Sequence, residues 1–175
     1  MDKMKNILVT GRPGCGKSTL LENIARHYGE KAAGFFTREI REGGRRAGFE
    51  IETIGGDKGV LAHRNIEGGG RVGPYGVDVF ALERIAVPAM TPRAPGTVVI
   101  VDEIGKMEWM SELFRDAVWR IFQAPDPVIA SIAQKGHRDF DRIKNREDVR
   151  VIQMTRDNRD RLQDEITGLI DAAPA

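Results

Sequence analysis

Eight residues near the front of the chain, Gly11-Arg12-Pro13-Gly14-Cys15-Gly16-Lys17-Ser18, fit the spacing G-x-x-x-x-G-K-[ST]. At average composition such a match arises by chance at roughly one position in 30,000. The residue types share one chemistry. Glycines let the backbone curl until successive N–H groups point inward at an anion, and a helix opening at Lys17 adds its positive dipole end. Lys17 would bring an ammonium to the β- and γ-oxygens of a bound polyphosphate, and the Ser18 hydroxyl would serve a Mg²⁺ ion. The candidate nucleotide-binding set is therefore Gly11 through Thr19. Cys15 within it reads as a small filler side chain; the sharper alternative is a thiol whose modification blocks the phosphates.

Such a loop needs an acidic partner at the end of a neighbouring strand. Thr97-Val-Val-Ile-Val-Asp102-Glu103 provides a hydrophobic run ending in two carboxylates. Asp102 would hold Mg²⁺ through water, and Glu103 would orient and polarise the attacking water. A base beside the metal-binding aspartate suits water as nucleophile, which points to hydrolysis rather than transfer to a bound alcohol. Asp102-Glu-Ile-Gly105 also fits D-x-x-G, but guanine selection would call for N-K-x-D after a later strand. The nearest match, Asn145-Arg-Glu-Asp148, has Arg in place of Lys and follows a polar run. Broad nucleotide use is the expectation. Four further residues are candidates on weaker grounds: Arg71 for phosphate contact and Tyr75 for base stacking, if not simply parts of a turn, and Lys135 or Arg138 as the cation on the γ-phosphate. Lys106 and Glu108 either pair near a helix start or help shape the site.

These groups need a scaffold. Asn6–Thr10 reads as a short buried strand and Lys17–Tyr28 as a helix with Leu20, Leu21, Ile24 and Tyr28 on one face, ended by Gly29. Ala32–Thr37 is a second strand. From Gly34 to Gly73 glycine pairs and triplets punctuate alternating runs such as Phe49-Glu-Ile51-Glu, the pattern of hairpins with one wet face. A helix is expected over Tyr75–Val87, with Pro88, Pro92 and Pro95 marking a connection. Thr97–Val101 is a strand buried on both faces, followed by a helix with Met110, Leu113, Phe114, Ala117, Val118, Ile121 and Phe122 on its inner stripe. Val128–Ala133 and Val149–Met154 are further strands, and Leu162, Ile166 and Leu169 mark a last helix. Strands alternating with helices give an α/β class: a mostly parallel central sheet in three layers, with an antiparallel β insertion near residues 38–70. The whole of residues 1–175 is expected to be one domain.

Composition excludes several other functions. Of 175 residues, 27 are Lys or Arg and 26 Asp or Glu, so no global field draws nucleic acid, although a local basic patch stays open. Arg38, Arg41, Arg45 and Arg46 cluster, but Glu39, Glu42, Glu50 and Glu52 interleave with them, as on a solvated mixed-charge sheet. A single cysteine allows no intrachain disulfide, and three scattered histidines have no zinc spacing. No run is apolar for long enough to read as a signal peptide or a membrane span, so the expectation is a cytoplasmic monomer with no membrane partner.

Taken with both acidic and glycine-rich motifs, Gly34-Phe-Phe-Thr37-Arg-Glu39, Arg41-Glu-Gly-Gly44, Arg46-Ala-Gly-Phe49, Arg71-Val-Gly-Pro-Tyr75-Gly-Val77, Asp102-Glu-Ile-Gly-Lys-Met-Glu108 and Asn158-Arg-Asp run through nearly the whole chain. In these the sequence resembles the thermophilic and cancer-related nucleoside-triphosphatase family. The resemblance implies a RecA-like P-loop fold and slow, Mg²⁺-dependent hydrolysis of several nucleoside triphosphates to diphosphate and phosphate. Two other readings are a small-molecule or nucleotide kinase, and a nucleotide-dependent module that binds RNA or protein.

Overall fold

A computed structural model describes residues 4–172. The parallel part is built from β-branched and aliphatic runs that bury both faces. β1 (Asn6–Thr10) lies between β8 (Val128–Ile132) and β9 (Val149–Gln153), and β7 (Val98–Ile104) lies between β8 and β2 (Ala32–Glu42), all in parallel register. Strand periodicity sorts their side chains into two cores. Ile7, Val9, Val98, Ile100 and Ile129 point to the face covered by α1 (Lys17–Tyr28) and α5 (Arg159–Asp171). Leu8, Val99, Val101, Val128 and Ala130 point to the other, covered by α2 (Val79–Ala89), α3 (Glu112–Gln123) and α4 (Arg138–Lys144). Helices on both faces of one sheet make the three-layer P-loop architecture.

β2 runs through the middle of the design. Its first residues pair with β7, and from Phe35 onward it pairs antiparallel with β3 (Arg45–Thr53), which continues to β4 (Lys58–His63), β6 (Tyr75–Val77) and β5 (Arg71–Val72). Among the described residues the nine strands form one sheet in the order β5-β6-β4-β3-β2-β7-β8-β1-β9. The β insertion is thus an extension of the central sheet.

Four local expectations shift, and one helix is added. Tyr75–Val77 is a strand, and the helix starts later because Asp78 caps it, its carboxylate accepting from the Ala81 N–H at 2.9 Å. Pro88 falls within the last turn of α2 and does not end it. α3 begins after Ser111, whose hydroxyl accepts from the Phe114 N–H at 3.0 Å, so Met110 lies in a preceding 3-10 turn, Glu108–Met110. Leu113 is 55% exposed: it lies at the edge of the buried stripe, about 100° from Phe114, in the first turn of the helix. The polar run around residues 138–144 forms α4, held by only two inner side chains, Phe140 and Ile143.

Candidate active site

The glycine-rich loop links the end of β1 to α1. Gly16 sits at φ 107° as the residue before the helix, a conformation that L side chains avoid. α2 and α3 are capped by Asp78 and Ser111, whereas the start of α1 has no side-chain cap and no acid in its first turn. Its first amides are therefore not satisfied by the chain's own carboxylates, the arrangement an incoming anion can use. The Lys17 ammonium lies back over the loop, donating to the carbonyls of Gly11 at 3.1 Å and Arg12 at 3.2 Å. Cys15 packs against the core under α1 and α5, as a small apolar filler does.

Asp102 and Glu103 lie inside β7, not after it. Val101 pairs with Ala130 and Ile104 with Ile132, so three steps along β7 match two along β8. This bulge breaks the alternation that would send successive side chains to opposite faces, and both acids line the same cleft. Asp102 is 3% exposed. Its Oδ1 accepts from the Ser131 hydroxyl at 2.6 Å, while its buried Oδ2 has no hydrogen-bond partner. Burial pushes the Asp102 carboxyl up, and the hydroxyls of Ser131 and Ser18 and the charge of Lys17 pull it back down. Glu103 is pushed up by burial and then by the neighbouring Asp102, with Lys17 opposing.

A third carboxyl joins them. Glu108, 4% exposed, is pushed well above the ordinary carboxylate range, first by burial and then by Glu103. A methyl group placed on Gly105 would stand 2.6 Å from Glu103 Oε1 and 2.9 Å from Glu108 Oε2, so the two carboxyls converge on that glycine. A side chain at this position would push the two carboxyls aside.

One cleft of about 810 Å³ takes in these groups. The loop from Gly11 to Thr19 contributes all but Arg12 and Cys15, and Asp102, Glu103 and Lys135 line it as well. Arg138, Arg71 and Tyr75 do not. Arg138 opens α4 on the surface. Arg71 donates to the carbonyls of Ile66 at 3.1 Å and Pro74 at 2.6 Å, closing its own turn. Tyr75 is buried edge-on against Phe49, ring centres 5.4 Å apart, with Arg64 over its face.

Other lining groups were not singled out by sequence, notably Thr37, Arg46 and Gln134. Lys106 and Glu108 do not pair; the Lys106 stem packs beside Gly136 instead. Lys144 shapes the site from outside it, donating at 2.9 Å to the carbonyls of both Ala133 and Gln134 and so pinning the segment that carries Lys135. No spacing in the sequence marks Lys144, since its partners are backbone atoms.

Comparison with known proteins extends this picture. The profile of the NTPase family matches residues 6–167. The nucleoside-triphosphatase THEP1 of Thermotoga maritima is 42% identical over 166 residues, 94% of either chain. The crystal structure of THEP1 from Aquifex aeolicus superposes with a TM-score of 0.87 at 35% identity, covering 95% of this chain and 99% of that one. The solution structure of a human cancer-related nucleoside triphosphatase gives 0.82 at 32% identity, covering 98% and 100%.

Proposed function

The chain belongs to the NTPase family, and from that premise we propose that it hydrolyses nucleoside triphosphates to diphosphate and phosphate, with broad tolerance of the base. The observation that carries this reading is the convergence, in one cleft, of an uncapped helix start, the Lys17 ammonium and two acids from a bulged strand. Amides of Gly14 to Ser18 surround the phosphates, and Lys17 leaves its two carbonyls for the β- and γ-oxygens. Glu103 accepts a proton from the attacking water and holds that water toward phosphorus. Of the two cations expected to meet charge on the transferred group, Lys135, on the segment pinned by Lys144, lines the cleft and Arg138 does not, so Lys135 is assigned that role.

A divalent ion, Mg²⁺ by its preference for carboxylate, hydroxyl and phosphate oxygens, fits the residues present. The buried, unpartnered Oδ2 of Asp102 calls for a positive ligand, and the Ser18 hydroxyl lies close enough to Asp102 to lower its affinity for protons. Among the described residues no cluster of three His, Cys, Asp or Glu could hold a metal alone, so the ion would take its remaining ligands from phosphate and water. When bound it supplies charge neutralisation on the β- and γ-oxygens. Ser18 and Asp102 would hold it.

We assign the activity to a single domain working as a cytoplasmic monomer; no helix of the described residues is long and apolar enough to cross a membrane. The basic residues of the insertion favour no nucleic acid platform, because Arg38 pairs with Glu22 and Glu52, and Arg41 and Arg46 pair with Glu39. The test is phosphate release from a panel of ribo- and deoxyribonucleoside triphosphates with Mg²⁺ and no added acceptor. Release from several bases, lost on chelating the metal, is expected; no release from any of them refutes the assignment.

A further inference from the structure

The cleft continues past the carboxylates. Beyond Glu103 it is walled by Phe49 from β3, Leu61 from β4, Val72 from β5 and Met107 from the turn after β7, with Thr37 and Lys106 beside them. Hydrolysis asks for one water on this side of the γ-phosphate, a volume of about 30 Å³. Leu61 forms the floor, 1% exposed, while Phe49, Val72 and Met107 are half-buried and leave apolar surface toward the cleft, from which neither a water nor a phosphate gains. Apolar walls with a few convergent polar groups are what an organic ligand selects, and about 810 Å³ for the whole cleft lies in the range of small-molecule sites.

The charges of this region narrow the ligand class. Arg46, at the rim, is already paired with Glu39 and lies over the Phe49 ring. Two carboxyls, Glu103 and Glu108, converge on Gly105, and among the described residues Lys106 is the one further cation lining this part of the cleft. With no surplus of positive charge to hold an anion, the region suits an uncharged molecule. It needs a flat apolar face for Phe49, Leu61, Val72 and Met107, and hydroxyl groups to meet Thr37 and Glu103. A nucleoside has both.

We propose that the insertion-side half of the cleft is an acceptor subsite for a nucleoside, and that when it is filled the chain transfers the γ-phosphoryl group to a nucleoside hydroxyl in place of water. The alcohol oxygen forms the new bond to the γ-phosphorus, and the bond from that phosphorus to the β–γ bridging oxygen breaks. The bridging oxygen keeps the electron pair and leaves on the diphosphate. The hydroxyl proton passes to the Glu103 carboxylate. Triphosphate and nucleoside thus give diphosphate, nucleoside monophosphate and one proton, with no further reactant. This rests on the assignment above of the loop and Glu103 to a bound triphosphate. Hydrolysis is then what the same machinery does when water occupies the subsite.

The experiment supplies the full chain with GTP and Mg²⁺, alone and with adenosine, guanosine, cytidine or uridine at millimolar concentration, and measures inorganic phosphate and nucleoside monophosphate in the same tube. At least one nucleoside should divert a measurable share of the γ-phosphate into the monophosphate. Val72→Trp, which fills the subsite, should lower the ratio of monophosphate to phosphate by about tenfold or more. The ratio is internal to each sample, so a change in total rate does not obscure it. Phe49→Ala, which removes one wall, provides a second reading if Val72→Trp does not fold. Phosphate release with no monophosphate from any of the four nucleosides overturns the acceptor subsite and leaves the hydrolytic assignment standing. Monophosphate formation at an unchanged ratio in a folded variant overturns its location. Absence of phosphate and ester alike refutes the triphosphatase assignment itself.

Discussion

The parallel and antiparallel halves of the sheet solve different problems. Strands β1, β7 and β8 are buried on both faces, and their candidate functional groups lie toward their C-terminal ends: the glycine-rich loop after β1, the bulge near the end of β7 and the Ala133–Lys135 segment after β8. Strands β3 and β4 have one wet face dressed with ion pairs and one face that meets the core. The first half holds its functional groups at the edge of a dry, closely packed body, where a displaced atom is costly. The second half can change its surface charges cheaply, because exposed pairs are worth about 0–1 kcal/mol each. In the proposed reaction the phosphate chemistry falls to the rigid half, and the wall proposed to select what meets the phosphate falls to the adaptable one.

The sharpest way to break this contrast is at Lys17. Replacing it with Ala removes the charge that compensates the β- and γ-phosphates, and we expect kcat/KM for phosphate release to fall about 1000-fold, near 4 kcal/mol. Steady-state kinetics would contradict the division of labour if Lys17→Ala kept turnover within tenfold. Glu103→Gln keeps shape and loses the base. A drop in kcat of about 100-fold is expected with nucleotide binding retained, the pattern for a group that acts in the transition state. Equal losses of binding and turnover would show Glu103 to be a structural residue.

How much of this could be read before the fold was known depends on whether a residue's role is local. The loop Gly11–Thr19 is self-contained, since its glycines, lysine and hydroxyl do their work within eight positions and the flanking strand and helix follow from short-range pattern. The acids of β7 were recognisable as types, but the bulge that turns both toward one cleft depends on the register with β8. Glu108 gave no warning of its burial, because a glutamate beside a helix start reads as solvated until Trp109 and Phe114 are seen to seal the turn. Helix α4 escaped notice for a related reason: five of its seven residues are charged, and two apolar side chains are too few to show a period. Tyr75 went the other way. An aromatic in a glycine-rich turn suggests a stacking platform, whereas Tyr75 meets Phe49 edge-on inside the protein.

Glu108 sharpens the comparison through pH. Its folded-state carboxyl binds a proton more tightly than the ordinary value of 4.5, so the folded chain holds that proton over a pH range where the unfolded chain has released it. Stability on this account is full below pH 4.5 and declines as pH rises toward the folded-state value. Glu108→Gln keeps the neutral shape and removes the titration. Thermal melts should show the variant gaining on the parent as pH is raised from acid to alkaline. A constant difference between the two at every pH would mean that Glu108 binds its proton no more tightly in the fold than in the unfolded chain.

The smallest effect is expected at the seam. Arg38, on β2, donates to Glu22 of α1 at 2.8 Å and pairs with Glu52 of β3, so it ties the phosphate-loop helix to the first antiparallel hairpin. The Arg38 side chain is 41% exposed, and the side chains of Glu22 and Glu52 also reach solvent. Arg38→Ala should therefore cost no more than about 1 kcal/mol despite the three-way pairing. Glu52 is held below its ordinary value chiefly by its hydrogen bond from Arg38, so this contribution is present above pH 4.5 and is lost as Glu52 protonates in more acid solution. The difference between parent and Arg38→Ala in urea melts should accordingly shrink with falling pH and again with added salt, whose screening length is about 8 Å at physiological strength. A cost above 2 kcal/mol, or one indifferent to salt, would place Arg38 among the structural groups of the rigid half and move the boundary between the halves outward to β3.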